Sequence, residues 1–134
     1  MARDILGIIS GLAVWMVIAG VAGLTMRSAW PEYASVADAM TFTLPMMFAR
    51  LAIGALATLG AGWVTAALAR RSMLARVTAG LLLLVVFVPQ HIMLWDEFPV
   101  WYHLTFLVSL VPLAYLGGQI SASRQGVPRS ITMT

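Results

Sequence analysis

The sequence contains no cysteine and no lysine, and only 10% of its 134 residues are charged. The lack of cysteine excludes disulfides, thiolate metal sites and cysteine nucleophiles. The scarcity of charge excludes an ordinary soluble domain, because a surface exposed to water needs roughly one quarter of charged residues. The net charge of +3 comes from scattered arginines that form no basic stripe. Nucleic acid is therefore not an expected partner.

Motifs for catalysis are also missing. The sequence has no Gly-rich phosphate loop, no H-E-x-x-H, no G-x-S-x-G and no carboxylate pair inside an apolar segment. We therefore expect a protein that is not an enzyme, and we predict no cofactor and no metal.

Long apolar segments dominate what is present, since 61% of the residues are hydrophobic. Four of these segments reach the roughly 20 residues that a helix needs to cross about 30 Å of hydrocarbon. The first has too long an apolar core for a signal peptide. We predict an all-α integral membrane protein with one four-span domain, arranged as an antiparallel bundle because two connections are very short. The predicted spans are residues 5–26, 44–69, 73–95 and 99–121, followed by a polar tail at 122–134.

The arginines predict the orientation of these spans. Six of the eight lie at the N-terminus, in the connection after the second span, or in the tail: Arg3, Arg70, Arg71, Arg76, Arg124 and Arg129. The loops on the other side contain four acidic residues and only Arg27. By the positive-inside rule we expect both termini of this multi-pass protein in the cytoplasm. The use of arginine without any lysine suggests a GC-rich bacterial genome, so we expect the bacterial inner membrane. An outer aromatic belt is expected from Trp30, Tyr33, Trp95, Trp101 and Tyr102.

Local signals predict how some helices begin. We expect a short surface helix over Tyr33–Met40 in the longest loop. Thr43 is expected to cap the second span, with Pro45 in its first turn. Asp96 is expected to cap the fourth span.

Small residues four apart predict the contact faces of the helices, because such residues allow close backbone approach in lipid. The longest example lies on the second span and consists of Gly54, Thr58, Gly62 and Ala66. Shorter examples are Gly7 with Gly11, and Ala114 with Gly118. Two alternatives remain open: internal packing of the bundle, or docking of a partner subunit.

Arg50 is a charged residue inside the second span. An ionisable residue within a span is by default a functional residue with a partner. The candidate partners are Asp38, Asp96 and Glu97. The alternative is structural, with Arg50 extending to the headgroups or forming one bracing salt bridge.

Two histidines flank the connection between the last two spans. His91 lies one turn before the third span ends and His103 about one turn into the fourth, so their rings are expected to lie at similar depth. The functional possibilities are a metal site, bis-histidine haem ligation or a proton relay, and the alternative is a pair of hydrogen-bonded structural histidines. Trp15 lies near the middle of the first span, where it either fills a gap or stacks on a pigment, a quinone or a partner helix.

The segment Leu94-Trp-Asp-Glu-Phe-Pro-Val-Trp-Tyr-His-Leu104 resembles a signature of uncharacterised small four-helix bacterial inner-membrane proteins. The resemblance implies the four-span topology and transfers no functional residue.

Two functional hypotheses follow. The first is a non-catalytic accessory or assembly subunit of a larger membrane complex, respiratory or photosynthetic, that contacts the lipid bilayer and other membrane subunits through the small-residue faces. The alternative is a small transporter, or a metal- or haem-binding membrane protein, that uses the outer cluster of Arg50, His91, His103, Asp96 and Glu97.

Overall fold

The computed structural model describes residues 1–70 and 72–125, and every regular element in these ranges is a helix. Four of the helices are long and apolar enough to cross a membrane. This confirms the all-α class and the number of candidate spans. Residues 126–134 of the predicted tail lie outside the described part of the chain, while 122–125 belong to the last helix. The helices are α1 (Ala2–Ala29), α2 (Pro31–Ala37), α3 (Leu44–Leu68), α4 (Met73–Met93) and α5 (Val100–Gln125).

The short helix α2 begins and ends earlier than predicted. Trp30 has an extended backbone, which a residue preceding proline prefers, and Pro31 then takes the first helical position. The chain leaves the helical region before Met40, whose φ is 55°. Helix α2 does not lie wholly on the surface. Tyr33 and Ala37, four residues apart on one face, are buried.

The helix starts agree only in part with the sequence signals. Thr43 occupies the N-cap position of α3 and Pro45 its first turn, but the Thr43 side chain makes no capping hydrogen bond. The predicted cap at Asp96 is wrong, because α5 begins only at Val100. Asp96 lies instead in a turn closed by the hydrogen bond from the Glu97 N–H to the Leu94 carbonyl, 3.1 Å long.

Glycines bring the long helices into backbone contact. A methyl group at Gly62 on α3 would collide with the carbonyl oxygen of Ala114 on α5. A methyl at Gly7 on α1 would lie 2.8 Å from the carbonyl oxygen of Thr65 on α3. On α4, Gly80 lies against Val111 of α5 in the same way. Small residues therefore join α3 to both α1 and α5, and α5 to α4.

Among the arginines of the predicted cytoplasmic group that the structure describes, only Arg76 is buried, with 6% of its surface exposed. Its Nε donates to the Ser72 carbonyl at 3.2 Å, and its guanidinium lies 5.1 Å from the centre of the Tyr115 ring. The aliphatic part of the side chain packs on Gly118, where a larger residue would displace it. Arg76 thus helps to join the start of α4 to the end of α5.

Candidate functional site

All five helices contribute to a cavity of about 200 Å³. Its wall is largely aromatic and also carries one charged and several polar side chains. Two small residues of α1, Ala19 and Gly23, complete one side. The aromatic residues of the wall are Trp15, Tyr33, Phe87, Phe98, Tyr102 and Phe106, and the other polar residues are Arg50, Gln90, His91 and His103.

Arg50 is held in this wall by two tyrosines. Its NH1 group donates to the Tyr33 hydroxyl at 2.7 Å, and its Nε donates to the Tyr102 hydroxyl at 3.2 Å. Both tyrosines are buried, at 4% and 6% exposure, so neither belongs to the expected outer aromatic belt. Each hydroxyl accepts from Arg50 and keeps its own O–H for donation.

Two phenylalanine rings also lie close to the Arg50 guanidinium. The guanidinium carbon lies 4.6 Å from the centre of the Phe42 ring and 5.8 Å from that of Phe98. The negative faces of aromatic rings attract a cation at this range. The Arg50 side chain is therefore positioned by rings and phenols rather than by acids.

None of the three predicted acidic partners pairs with Arg50. Asp38 binds the exposed Arg27 instead, with 3.2 Å between Oδ1 and NH1. Asp96 and Glu97 are exposed in the turn before α5 and do not line the cavity. Within residues 1–70 and 72–125, Arg50 forms no ion pair with a carboxylate. The predicted cluster is thus divided: Arg50, His91 and His103 come together, and the acids do not join them.

His91 and His103 contact each other through their Nδ1 atoms, which lie 2.8 Å apart. His103 is fully buried, and its Nε2 is 3.3 Å from the Trp95 carbonyl oxygen. The Trp95 indole stacks on the His103 ring at 4.7 Å between centres, and Phe106 stacks on His91 at 4.8 Å. The described residues contain no group of three or more histidine, cysteine or acidic side chains suited to hold a metal ion.

Trp15 lines the cavity and connects it to the predicted contact face of α3. Its indole N–H donates to the Thr58 hydroxyl at 3.0 Å, and that hydroxyl donates to the Gly54 carbonyl at 2.7 Å. The Trp15 ring also lies 4.6 Å from Phe87, centre to centre. Both polar groups of this buried pair are therefore satisfied.

The predicted contact face of α3 is buried inside the protein. Gly54 lies against the Phe106 ring and Gly62 against Ala114, while Thr58 and Ala66 have no exposed surface. This face packs on α1 and α5 and is not available to a partner. The α1 pair Gly7 and Gly11 and the α5 pair Ala114 and Gly118 are also in internal contacts.

Sequence reasoning missed the tyrosines as partners of Arg50. Tyrosines near the end of a span are typical of the membrane interface, which made the belt assignment natural. The signal that points to them is the arginine itself, because a half-buried guanidinium needs hydrogen-bond acceptors and a phenol oxygen supplies one without adding a charge.

No protein-family model, curated protein or solved structure matches the chain. The resemblance of residues 94–104 therefore stays a prediction. That segment contributes Leu94, Phe98, Tyr102 and His103 to the cavity wall, so it forms part of the candidate site itself.

Proposed function

We propose that the protein is a non-catalytic membrane protein that binds a small aromatic anion in the cavity beside Arg50. The observation that carries the proposal is a positively charged guanidinium on an aromatic cavity wall with no carboxylate paired to it among the described residues. The proposal keeps a binding role for Arg50 and the histidines, as the transporter or metal- or haem-binding hypothesis did, but assigns a different ligand.

The Arg50 guanidinium determines which polar group the ligand should carry. A guanidinium carries five N–H donors, and Tyr33 and Tyr102 use one each. The remaining donors suit a carboxylate, which guanidinium binds in a bidentate geometry. The two phenol O–H groups beside Arg50 add further donors. An anion also offsets the cost of placing an unpaired cation inside a membrane-spanning helix.

The volume of the cavity and its aromatic wall determine the size and shape of the apolar part of the ligand. A dry cavity of about 150 Å³ is known to hold benzene, so a cavity of about 200 Å³ suits one ring with a small substituent. Aromatic walls favour offset or edge-on contact with a planar ring. Benzoate combines the ring and the charge, and it is the simplest probe for this site.

The ligand-side test compares three probes of similar size on the purified protein in detergent. Thermal unfolding is followed with benzoate, with neutral benzamide, and with cyclohexanecarboxylate, which keeps the charge and loses the flat ring. We expect benzoate to raise the unfolding temperature most, because it alone satisfies Arg50 and stacks on the wall. Equal shifts with benzoate and benzamide, or no shift with benzoate at millimolar concentration, would overturn the proposal.

We further propose an antiparallel arrangement with both termini in the cytoplasm of a bacterial inner membrane. The contact register supports the antiparallel part: Gly7 meets Thr65 while Trp15 meets Thr58, and on the last two helices Arg76 meets Gly118 while His91 meets His103. The distribution of arginines supports the orientation. The cavity then opens towards the outer half of the membrane.

The accessory-subunit hypothesis stays a prediction with weaker support than the sequence alone offered. It relied on small-residue faces left over for a partner, and those faces pack internally. Gentle extraction of the native protein followed by mass spectrometry tests it. Co-migration with other membrane subunits supports a subunit role, and isolation of the chain alone contradicts it.

A further inference from the structure

The histidine pair determines which ring nitrogen remains for a ligand. The Trp95 carbonyl oxygen can only accept, so the Nε2 atom of His103 must donate to it. A neutral imidazole has one N–H, which leaves the Nδ1 atom of His103 as an acceptor. The hydrogen bond between the two Nδ1 atoms must then be donated by His91.

The same reasoning fixes the tautomer of His91. With its proton on Nδ1, neutral His91 carries a lone pair on Nε2. No described residue hydrogen-bonds to this nitrogen, and it is not among the buried polar atoms that lack a partner. His91 belongs to the cavity wall. Its Nε2 atom is therefore available as a hydrogen-bond acceptor on a wall where Arg50, Tyr33 and Tyr102 can donate. The Gln90 amide on the same wall can both donate and accept.

We propose that the ligand carries a hydroxyl group that donates to the Nε2 atom of His91, so that its chemical class is a hydroxylated aromatic acid. This inference rests on the proposed function for the acid group, while the hydroxyl is assigned by the histidine pair alone. Arg50 takes the carboxylate, His91 takes the hydroxyl, and Phe87, Phe98 and Phe106 surround the ring between them.

The ring stacking makes this assignment specific to His91. The His91 ring is held between the Phe106 ring, 4.8 Å away, and the edge of His103, 5.0 Å away, measured between ring centres. A ring fixed on two sides presents its free nitrogen in one direction, which lowers the entropic cost of forming a hydrogen bond to a ligand. His103 cannot take this role, because both of its nitrogens are already in hydrogen bonds and its side chain is fully buried.

The test uses neutral probes, so that its outcome does not depend on Arg50. Binding of phenol and of anisole, in which the hydroxyl hydrogen is replaced by methyl, is measured on the protein in detergent. We expect phenol to bind about tenfold more tightly, the ratio expected for one additional hydrogen bond. His91→Phe should abolish the preference for phenol, and His91→Gln, which keeps a side-chain oxygen acceptor, should retain part of it. A preference that survives unchanged in His91→Phe, or equal binding of the two probes to the unaltered protein, overturns the inference.

Nitrogen NMR of ring-labelled histidine gives a readout that needs no variant and no ligand. We expect an unprotonated Nε2 in His91 and an unprotonated Nδ1 in His103 at pH 8, and the reverse pattern would contradict the assignment. The two proposals fail separately. Benzoate that binds no better than benzamide overturns the anion site, whereas phenol that binds no better than anisole overturns the hydroxyl site. If both stand, at least one of the three positional hydroxybenzoates should bind more tightly than benzoate.

Discussion

Arg50 donates a 2.7 Å hydrogen bond to the hydroxyl of Tyr33 and so ties the long helix α3 to the short helix α2. The bond spans 17 residues of sequence and lies at the cavity wall. Helix α2 has only seven residues, too few for a stable isolated helix. The contact therefore positions α2 as well as the guanidinium.

Tyr33→Phe should destabilise the protein by about 1–3 kcal/mol, because it leaves an N–H of a half-buried cation without its acceptor. Tyr115→Phe is the matched control, since its hydroxyl accepts from the Gln119 side chain at an exposed position. Urea or thermal unfolding in detergent measures both. Equal losses of stability in the two variants would show that the Tyr33 hydroxyl has no special role.

Thr58→Val should cost about 1–3 kcal/mol of stability, because the shape is kept while the Trp15 indole loses its buried acceptor. Trp15→Phe together with Thr58→Val closes a double-mutant cycle that isolates the pair. Thr25→Val serves as the control, as the Thr25 hydroxyl bonds its own helix at an exposed position. A coupling energy near zero in the cycle would contradict the structural assignment.

Gly62→Ala should destabilise the protein by about 1–3 kcal/mol or prevent correct packing, because the added methyl meets the Ala114 carbonyl. Gly20→Ala has no atom within 4 Å of the added methyl and should be neutral or stabilising by up to about 1 kcal/mol. Comparative thermal unfolding of the two variants measures the difference. Similar tolerance at both sites would show that α3 and α5 do not approach as closely as described.

The proposed topology predicts that the turn before α5 and the end of α5 lie on opposite sides of the membrane. Because the chain has no cysteine, single cysteines at the exposed positions Glu97 and Ser123 can be labelled without background. In intact cells an impermeant maleimide should label Glu97→Cys only. Labelling of both cysteines from outside would contradict the proposal that α5 crosses the membrane and ends in the cytoplasm.

Much of the fold could be predicted from the sequence, for a physical reason. Apolar length and small-residue spacing are properties of single segments. The four long helices and a contact face at Gly54, Thr58, Gly62 and Ala66 could therefore be predicted, whereas the choice between internal packing and a partner subunit could not. The approach of His91 and His103 also followed from a local feature, the short connection between their helices.

The partners of Arg50 could not be predicted in the same way. The sequence offered acids at suitable depth, and charge complementarity favoured Asp38, Asp96 and Glu97. Which of several residues meets a side chain depends on how the elements pack. Asp38 ends α2 beside Arg27, and the turn before α5 directs Phe98 inward and leaves both acids exposed. Tertiary packing thus replaced an expected ion pair with phenol hydrogen bonds.

The dissociation constant of benzoate for Arg50→Gln, compared with that for Arg27→Gln, tests the central claim most directly. Both changes remove one positive charge, but Arg27 is exposed and lies outside the cavity wall. Circular dichroism and unfolding of Arg50→Gln confirm that the comparison concerns a folded protein, and Arg50→Lys, which keeps the charge, gives a second comparison. We predict that Arg50→Gln weakens benzoate binding by roughly 10- to 100-fold, the range expected for a charge-assisted contact. Arg27→Gln should change the affinity by less than about twofold, because charges exposed to salt solution are screened. Equal affinity of the two glutamine variants would contradict a binding site at Arg50.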